Sequence, residues 1–428
     1  MATIQEATTI ELPKIQFHWI LSKKRDLMFY IGSAVLGWVY VAIILLNMTS
    51  ISAIANPVNY TIFSIGSFQL TLEWVIILSW GILFDAPHLF ATLARTFFDP
   101  DERQVRGAEL KKSWAFFAVG PVMILIPYII GQFVHLSAFL LGLGALLFLV
   151  GFRLWAYYHV VRQHWGFYQL YRRKGGEQSD QMMNRVDYWF FQLTLYLPLI
   201  MFLTSSYYLK IPTSAFPDIG LHAAIIGSLS ISQIVNPVAT LMYVAAIFGY
   251  IGFQVYLWRS GVTLNGSKLV YMGLIVPLHF IAFSNPIIVL FLTPIITVGH
   301  NVQYHQIVYE YGQKKYVRDA AGDRKYTWAR RIFGSFLIYA VFGLAFTFLL
   351  YRGPWIDWVH AEVGMDFNGL MLNSVGMMAG IKNYQSLKLG ELIVGSMLLG
   401  WAMQHYYLDS KIWRVSKDKM VRKNLNVE

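Results

Sequence analysis

Six histidines on four apolar segments are the residues of this chain whose type and spacing suit metal binding. They are His88, His159, His164, His300, His305 and His405. Two aspartates accompany them, with Asp85 three residues before His88 and Asp409 four residues after His405. At these spacings each carboxylate shares a helix face with its histidine. We therefore expect the six histidines to be metal ligands in one site, with the two aspartates as its catalytic carboxylates.

The absence of cysteine restricts the metals that this site can bind. The sequence has no cysteine, so disulfides and thiolate metal sites are excluded. Imidazole nitrogen and carboxylate oxygen remain as ligands, and this set favours iron, zinc or manganese.

Composition places the chain among membrane proteins. It has 428 residues, of which 56% are hydrophobic and only 13% are charged, and its mean hydropathy is positive. Such values are typical of polytopic membrane proteins. The net charge of +11 lies in connections between apolar segments rather than along one polar face, so nucleic acid is not an expected partner.

Apolar segments of sufficient length predict an all-α bundle of about ten transmembrane helices in a single membrane domain, 1–428. The predicted spans are 28–49, 68–97, 114–133, 137–171, 185–209, 238–258, 267–282, 286–312, 332–351 and 386–413. Residues 1–27 form a cytoplasmic or interfacial segment with a short interfacial helix, 28–413 form the bundle, and 414–428 form a basic tail. The connections 210–237 and 352–385 are long and half apolar, so they predict interfacial helices.

Basic residues predict the orientation in the bilayer. One set of connections and termini holds 27 Lys and Arg residues, the opposite set holds 4, and Arg95, Arg153 and Arg162 lie on the predicted helices. By the positive-inside rule both termini are cytoplasmic in a multi-pass membrane protein.

The histidines also share a depth. Counted from the outer end of each span at the helical rise, four of them lie about 21 to 33 Å down, in the cytoplasmic half. The five-residue spacing of His159 with His164, and of His300 with His305, separates each pair by about 140° on a regular helix. Either a local π-bulge brings both members together, or one member binds metal while the other faces a neighbouring helix. In the second case, four histidines on a single metal are the better description. His279 is expected nearer the outer end of its span, outside the site.

The layout of this site resembles that of the integral membrane non-haem di-iron desaturases and hydroxylases. Their histidine motifs also cluster at the cytoplasmic ends of spans, but as HxxxH and HxxHH boxes, whereas this chain has HVVRQH and HNVQYH. The resemblance covers the layout and carries no residue assignment. It implies two irons, oxygen activation, a lipid-like substrate held between helices in the bilayer, and a separate electron donor.

Two other functional classes use the same histidines. A membrane zinc hydrolase, similar to ceramidases, needs three histidines on one zinc with an aspartate beside a bound water. A non-enzymatic protein would instead bind b-type haem or line a transport path for protons or metal. The sequence leaves these alternatives open.

Overall fold

The computed structural model describes most of the chain. The described residues are 14–47, 61–66, 68–71, 75–76, 79–133, 138–177, 180–206, 225–226, 228–351, 389–415 and 417–425. Within them the fold is all-α, as the sequence predicted.

Fourteen α-helices make up the described part of the chain. They are α1 Lys23–Arg25, α2 Gly32–Asn47, α3 Ala86–Thr96, α4 Pro100–Val105, α5 Gly107–Phe133, α6 Ala138–Lys174, α7 Gln181–Leu203, α8 Ile231–Arg259, α9 Gly266–Ser284, α10 Leu292–Gly312, α11 Thr327–Phe333, α12 Phe336–Phe346, α13 Leu389–Ile412 and α14 Lys419–Leu425. π-Helical turns are Asp26–Tyr30, Trp80–Asp85, Gln313–Asp319 and Thr347–Tyr351, and 3-10 turns are Ile288–Phe291 and Arg324–Tyr326.

Five of these helical segments are long and apolar enough to cross a membrane. They are Lys23–Asn47, Gly107–Ile130, Gln181–Leu203, Ile231–Arg259 and Gly266–Ser284. A sixth is present if Arg324–Phe333 and Phe336–Leu350, which meet at 84°, form one broken span. This number is compatible with a multi-pass membrane protein, whereas the predicted ten spans stay a proposal.

Short strands occupy three places where we predicted helix, and one of these is the connection 210–237, where Ile225–Ile226 pairs with Leu229–Ser230. The six strands are β1 Ile15–Gln16, β2 Thr61–Ile65, β3 Phe68–Thr71, β4 Ile225–Ile226, β5 Leu229–Ser230 and β6 Leu264–Asn265. β1 pairs in parallel with β6, so the expected interfacial helix is reduced to α1. β2 and β3 form a hairpin through Gly66, whose φ of 58° suits a turn, so the first residues of the predicted span 68–97 are strand and the first described helical residues of that span are 75–76. The predicted interfacial helices lie mostly outside the described residues, as do His222 and His360.

Glycines allow two helix pairs to pack closely. A Cβ at Gly120 of α5 would collide with the Ser396 carbonyl oxygen, and a Cβ at Gly400 of α13 would lie 2.5 Å from the Phe117 carbonyl oxygen. A Cβ at Gly37 of α2 would lie 2.7 Å from the Ile295 carbonyl oxygen of α10. Small residues that bring backbones together in this way are characteristic of helix contacts within membranes.

A group of charged side chains joins α4 to the segment after α10, and we call Asp99, Asp101, Lys315 and Lys325 the α4 ionic cluster. Lys315 Nζ lies 2.5 Å from Asp99 and 3.1 Å from Asp101, and Lys325 also pairs with Asp101. The cluster holds α4 against the segment that follows α10.

Candidate metal centre

Four buried side chains from three helices form a group with metal-binding geometry. His88 comes from α3, His159 from α6, and His405 and Asp409 from α13. One ligand atom of each lies within 4.8 Å of those of the others. All four are buried. Three imidazoles and one carboxylate are a set that binds zinc or iron.

A π-helical turn sets the position of His88. Pro87 has no N–H, so it cannot donate to the carbonyl four residues earlier, and the preceding Trp80–Asp85 turn is π-helical. α3 then begins at Ala86 and buries His88 against α13. The π-helical turn before Pro87 therefore sets where α3 begins and where His88 lies.

Hydrogen bonds orient Asp409 and His405 together. The Thr92 hydroxyl donates to Asp409 Oδ1 at 2.9 Å, and Tyr304 donates to the same oxygen at 2.5 Å. Thr92 Oγ1 also lies 2.7 Å from His405 Nδ1. Because the single hydroxyl proton of Thr92 goes to Asp409, Thr92 accepts from Nδ1–H of His405. The Nε2 lone pair of His405 therefore faces the site.

The two nearest histidines meet at these Nε2 atoms. His88 Nε2 and His405 Nε2 are 2.8 Å apart. Asp409 Oδ2 lies 3.6 Å from His405 Nε2 and 3.8 Å from His159 Nε2. His88 Nδ1 and His159 Nε2 are buried and make no hydrogen bond within the described residues. A metal ion would satisfy the unpartnered His159 Nε2 together with the Nε2 atoms of His88 and His405 that face each other.

His300 lies beside this group without belonging to it. Its ring centroid is 4.9 Å from that of His88 and 5.2 Å from that of His159. Its main-chain carbonyl accepts from Gln163 Nε2 at 2.7 Å. His300 is buried, and its Nδ1 has no hydrogen-bond partner among the described residues.

The two histidines of each five-residue pair have different surroundings. His159 faces His405, whereas His164 lies 5.6 Å from His279 by ring centroid. His305 uses both nitrogens, with Nδ1 3.0 Å from the Tyr339 hydroxyl and Nε2 3.2 Å from the Phe84 carbonyl. α6 and α10 are α-helical through both pairs, so no π-bulge brings their members together. His159 belongs to the group of four, whereas neither His300 nor His305 does, and the group contains three histidines rather than the four expected for a single metal.

Asp85 is not one of the four residues of the candidate metal group. It ends the π-helical turn before α3 and is half-buried. Asp409 is the carboxylate that the structure brings to the histidines.

Arg95 anchors the end of the helix that carries Asp409. Its guanidinium donates to the Ile412 carbonyl at 3.1 Å, at the C-terminus of α13. It lies 4.3 Å from the Tyr311 ring centroid and 4.4 Å from that of Trp413, and 3.5 Å from Glu102. A cation at a helix C-terminus is favourable, and here it also holds α13 against α3 and α10.

A cavity of about 830 Å³ opens beside the group of four. Buried His159, Asp409 and Tyr304 are part of its wall. Its other lining residues include the aromatic residues Trp155, Tyr158, Trp165, Phe167, Tyr188, Tyr406 and Trp413 and the basic residues Arg162, Arg173, Arg414 and Lys417. Arg162, Arg414 and Lys417 are exposed, so the cavity leads from a basic surface to the metal-binding side chains.

Sequence reasoning missed Thr92 and the hydrogen bond from Tyr304 to Asp409. Thr92 lies four residues after His88, so it shares that helix face, and this spacing was a usable signal.

Comparison with models of protein families, curated proteins and solved structures finds no match to the chain.

Proposed function

We propose that this protein is an integral membrane, metal-dependent oxidoreductase of the non-haem di-iron type, a hydroxylase or desaturase acting on a lipid-like substrate. The observation that carries the proposal is the buried group of three histidines and Asp409, because two of its members, His159 and Asp409, line a large cavity that also contains many aromatic residues. Neutral nitrogen and carboxylate ligands suit iron, and the cavity admits a hydrocarbon chain to the group.

Iron would supply oxygen activation, and the protein's own groups position the reactants. In a hydroxylation, one atom of O₂ enters a substrate C–H bond and the other leaves as water, with two electrons and two protons from a separate donor. Thr92 and Tyr304 hold Asp409 through one oxygen, Oδ1, and leave Oδ2 turned toward the histidines. The Tyr304 hydroxyl lies at the cavity wall, where it can hold a proton close to the reacting atoms.

The basic residues of the cavity indicate an anionic head group on the substrate. Arg162, Arg414 and Lys417 line the cavity and are exposed, while the aromatic lining residues Phe167 and Tyr304 are buried. A carboxylate or phosphate head would bind at the exposed residues, and an apolar chain would extend toward His159. An amphiphile therefore fits this cavity better than a wholly apolar hydrocarbon does.

The proposed topology keeps ten spans with both termini in the cytoplasm. In this arrangement α3, α6, α10 and α13 span together with the segments that meet the apolar criterion, and the site lies near the cytoplasmic interface. The 27 to 4 distribution of basic residues supports this orientation.

A zinc hydrolase is the second candidate, and one observation favours it. The group of four contains three histidines and one aspartate, which is the ligand number of a single catalytic zinc with a carboxylate at hand. A zinc-bound water beside Asp409 would then attack an amide or ester in the cavity.

Elemental analysis of the purified full-length protein separates the two candidates. We expect iron after preparation in iron-supplemented medium, and we expect His405→Asn and Asp409→Asn to lower iron content while the protein stays monodisperse in detergent. Zinc as the retained metal, with hydrolysis of an acyl amide or ester, would support the hydrolase instead. Protein without metal, prepared both with and without air, would contradict both proposals.

A further inference from the structure

A second set of histidines lies beside the group of four. His164 of α6, His279 of α9 and His300 of α10 are buried. The ring centroid of His164 is 5.6 Å from that of His279 and 6.1 Å from that of His300. From these residues we infer that the protein holds a second divalent transition metal, bound by His164, His279 and His300.

Unpartnered nitrogens carry this inference. His164 Nε2, His279 Nε2 and His300 Nδ1 are buried and have no hydrogen-bond partner in the described part of the chain. Buried polar atoms normally have a partner. Three neighbouring rings, each with one nitrogen left over, are explained together by one shared cation.

Hydrogen bonds at the opposite nitrogens fix two of the rings. The Tyr157 hydroxyl donates to the Leu195 carbonyl at 2.5 Å and lies 3.1 Å from His279 Nδ1, so it accepts the Nδ1 proton. His279 Nε2 is therefore a free lone pair. His164 Nδ1 is likewise held, 2.8 Å from the Tyr271 hydroxyl. Metal-binding histidines are commonly oriented in this way, by a polar partner on the second nitrogen.

Two of the three ring separations are close to those expected for a common metal. Two imidazoles bound at about 2.0 to 2.1 Å, with an angle near 110° between them, place their ring centroids about 5 Å apart. The rings of His279 and His300 lie 5.6 and 6.1 Å from that of His164, so all three rings would move inward to bind one ion. The site has nitrogen ligands only, so it favours iron, zinc or another first-row divalent ion over calcium or magnesium.

His300 joins this second site to the first. Its ring contacts those of His88 and His159 on one side and that of His164 on the other. The inference deepens the proposed di-iron function and rests on it only for the identity of the metal. It also replaces the expectation that His279 is a bystander.

Titration of the metal-free, full-length protein with Co²⁺ tests the inference through the visible absorption of the bound ion. We expect wild-type protein to bind two equivalents. His279→Asn should bind one equivalent, at the first site. His405→Asn should lose the first site and keep the second. His305→Asn is the matched control, since this half-buried histidine on α10 already uses both nitrogens, and it should bind two equivalents.

A second variant, which keeps all the histidines, tests the inference in case His279→Asn does not fold. Tyr157→Phe keeps the His279 ring and removes the acceptor of its Nδ1 proton, so it should weaken the second Co²⁺ equivalent by about 10- to 100-fold and leave the first unchanged. Saturation of wild-type protein at one equivalent, lost in His405→Asn and kept in His279→Asn, would overturn the second site and leave the proposed function standing. Absence of any bound Co²⁺ would overturn both.

Discussion

The Thr92 side chain orients two residues of the group of four. One hydroxyl donates to Asp409 and accepts from His405, so it fixes a carboxylate and an imidazole tautomer together. Partners of this kind are worth about 10- to 100-fold in metal affinity. Their loss also leaves buried polar atoms without a hydrogen bond.

We therefore expect Thr92→Val to lower metal affinity by about 10- to 100-fold with little change in helix content. Thr92→Ser keeps the hydroxyl and should bind metal nearly as wild type does. Isothermal titration of the metal-free proteins measures both. Equal affinities for the Val and Ser variants would show that the hydroxyl does not orient the ligands.

At this scale the sequence predicted the histidines and missed their partners. Depth along each helix placed His88, His159 and His405 in one layer, and the structure brings them together with Asp409. The same counting put His279 at the far end of its helix, but its ring lies against that of His164. Residue counting assumes helices normal to the membrane, and it contains no information on tilt or on which faces meet.

Among the elements, the contact of α5 with α13 matters most for the site, because His405 lies five residues after Gly400. Gly120 and Gly400 leave no room for a Cβ between these helices. Any added atom must move α13, and with it His405 and Asp409.

Gly400→Ala should therefore cost about 1 to 3 kcal/mol of stability, as overpacking does, despite the better helix propensity of alanine. It should also weaken metal binding. Thermal unfolding in detergent and metal titration are the measurements. Gly249→Ala in α8, where nothing lies near the added Cβ, is the control and should be neutral or stabilising. Similar behaviour of the two variants would contradict the packing argument.

The end of α9 was predictable from the sequence, because a proline follows it. The sequence predicted a span over 267–282 and the next from 286, and α9 ends at Ser284, because Pro286 cannot continue the helical hydrogen bonds and restricts Asn285 before it. The β2–β3 hairpin was missed, since its apolar residues read equally well as the start of a span. Short apolar runs do not distinguish strand from helix, and here the Gly66 turn decides.

For the whole molecule, the α4 ionic cluster links stability to pH. Burial alone would raise the pKa of Asp101, but hydrogen bonds from Lys325 and Tyr326 and the charge of Lys315 outweigh it and lower this pKa to about 2. A carboxylate with a lowered pKa stabilises the fold above its unfolded value of 3.8. That contribution is lost as pH falls from about 4 toward 2.

Asp101→Asn should accordingly be less stable than wild type at neutral pH, by at most about 2 kcal/mol, and should lose less stability between pH 4.5 and pH 2.5. Melting temperatures across this range, in an acid-stable detergent, give the comparison. Asp319→Asn, at an exposed carboxylate nearby, should follow the wild-type profile. If Asp101→Asn loses as much stability as wild type between pH 4.5 and pH 2.5, the α4 ionic cluster is not the cause of the acid sensitivity.

The group of four draws its ligands from positions 88, 159, 405 and 409 of a 428-residue chain. During synthesis, the first two are made long before the last two, which both lie on α13. No nascent chain shorter than 409 residues contains the complete ligand set. The proposed loading of metal at the group of four therefore follows synthesis of α13, and we expect a chain truncated before residue 405 to acquire no metal at this group.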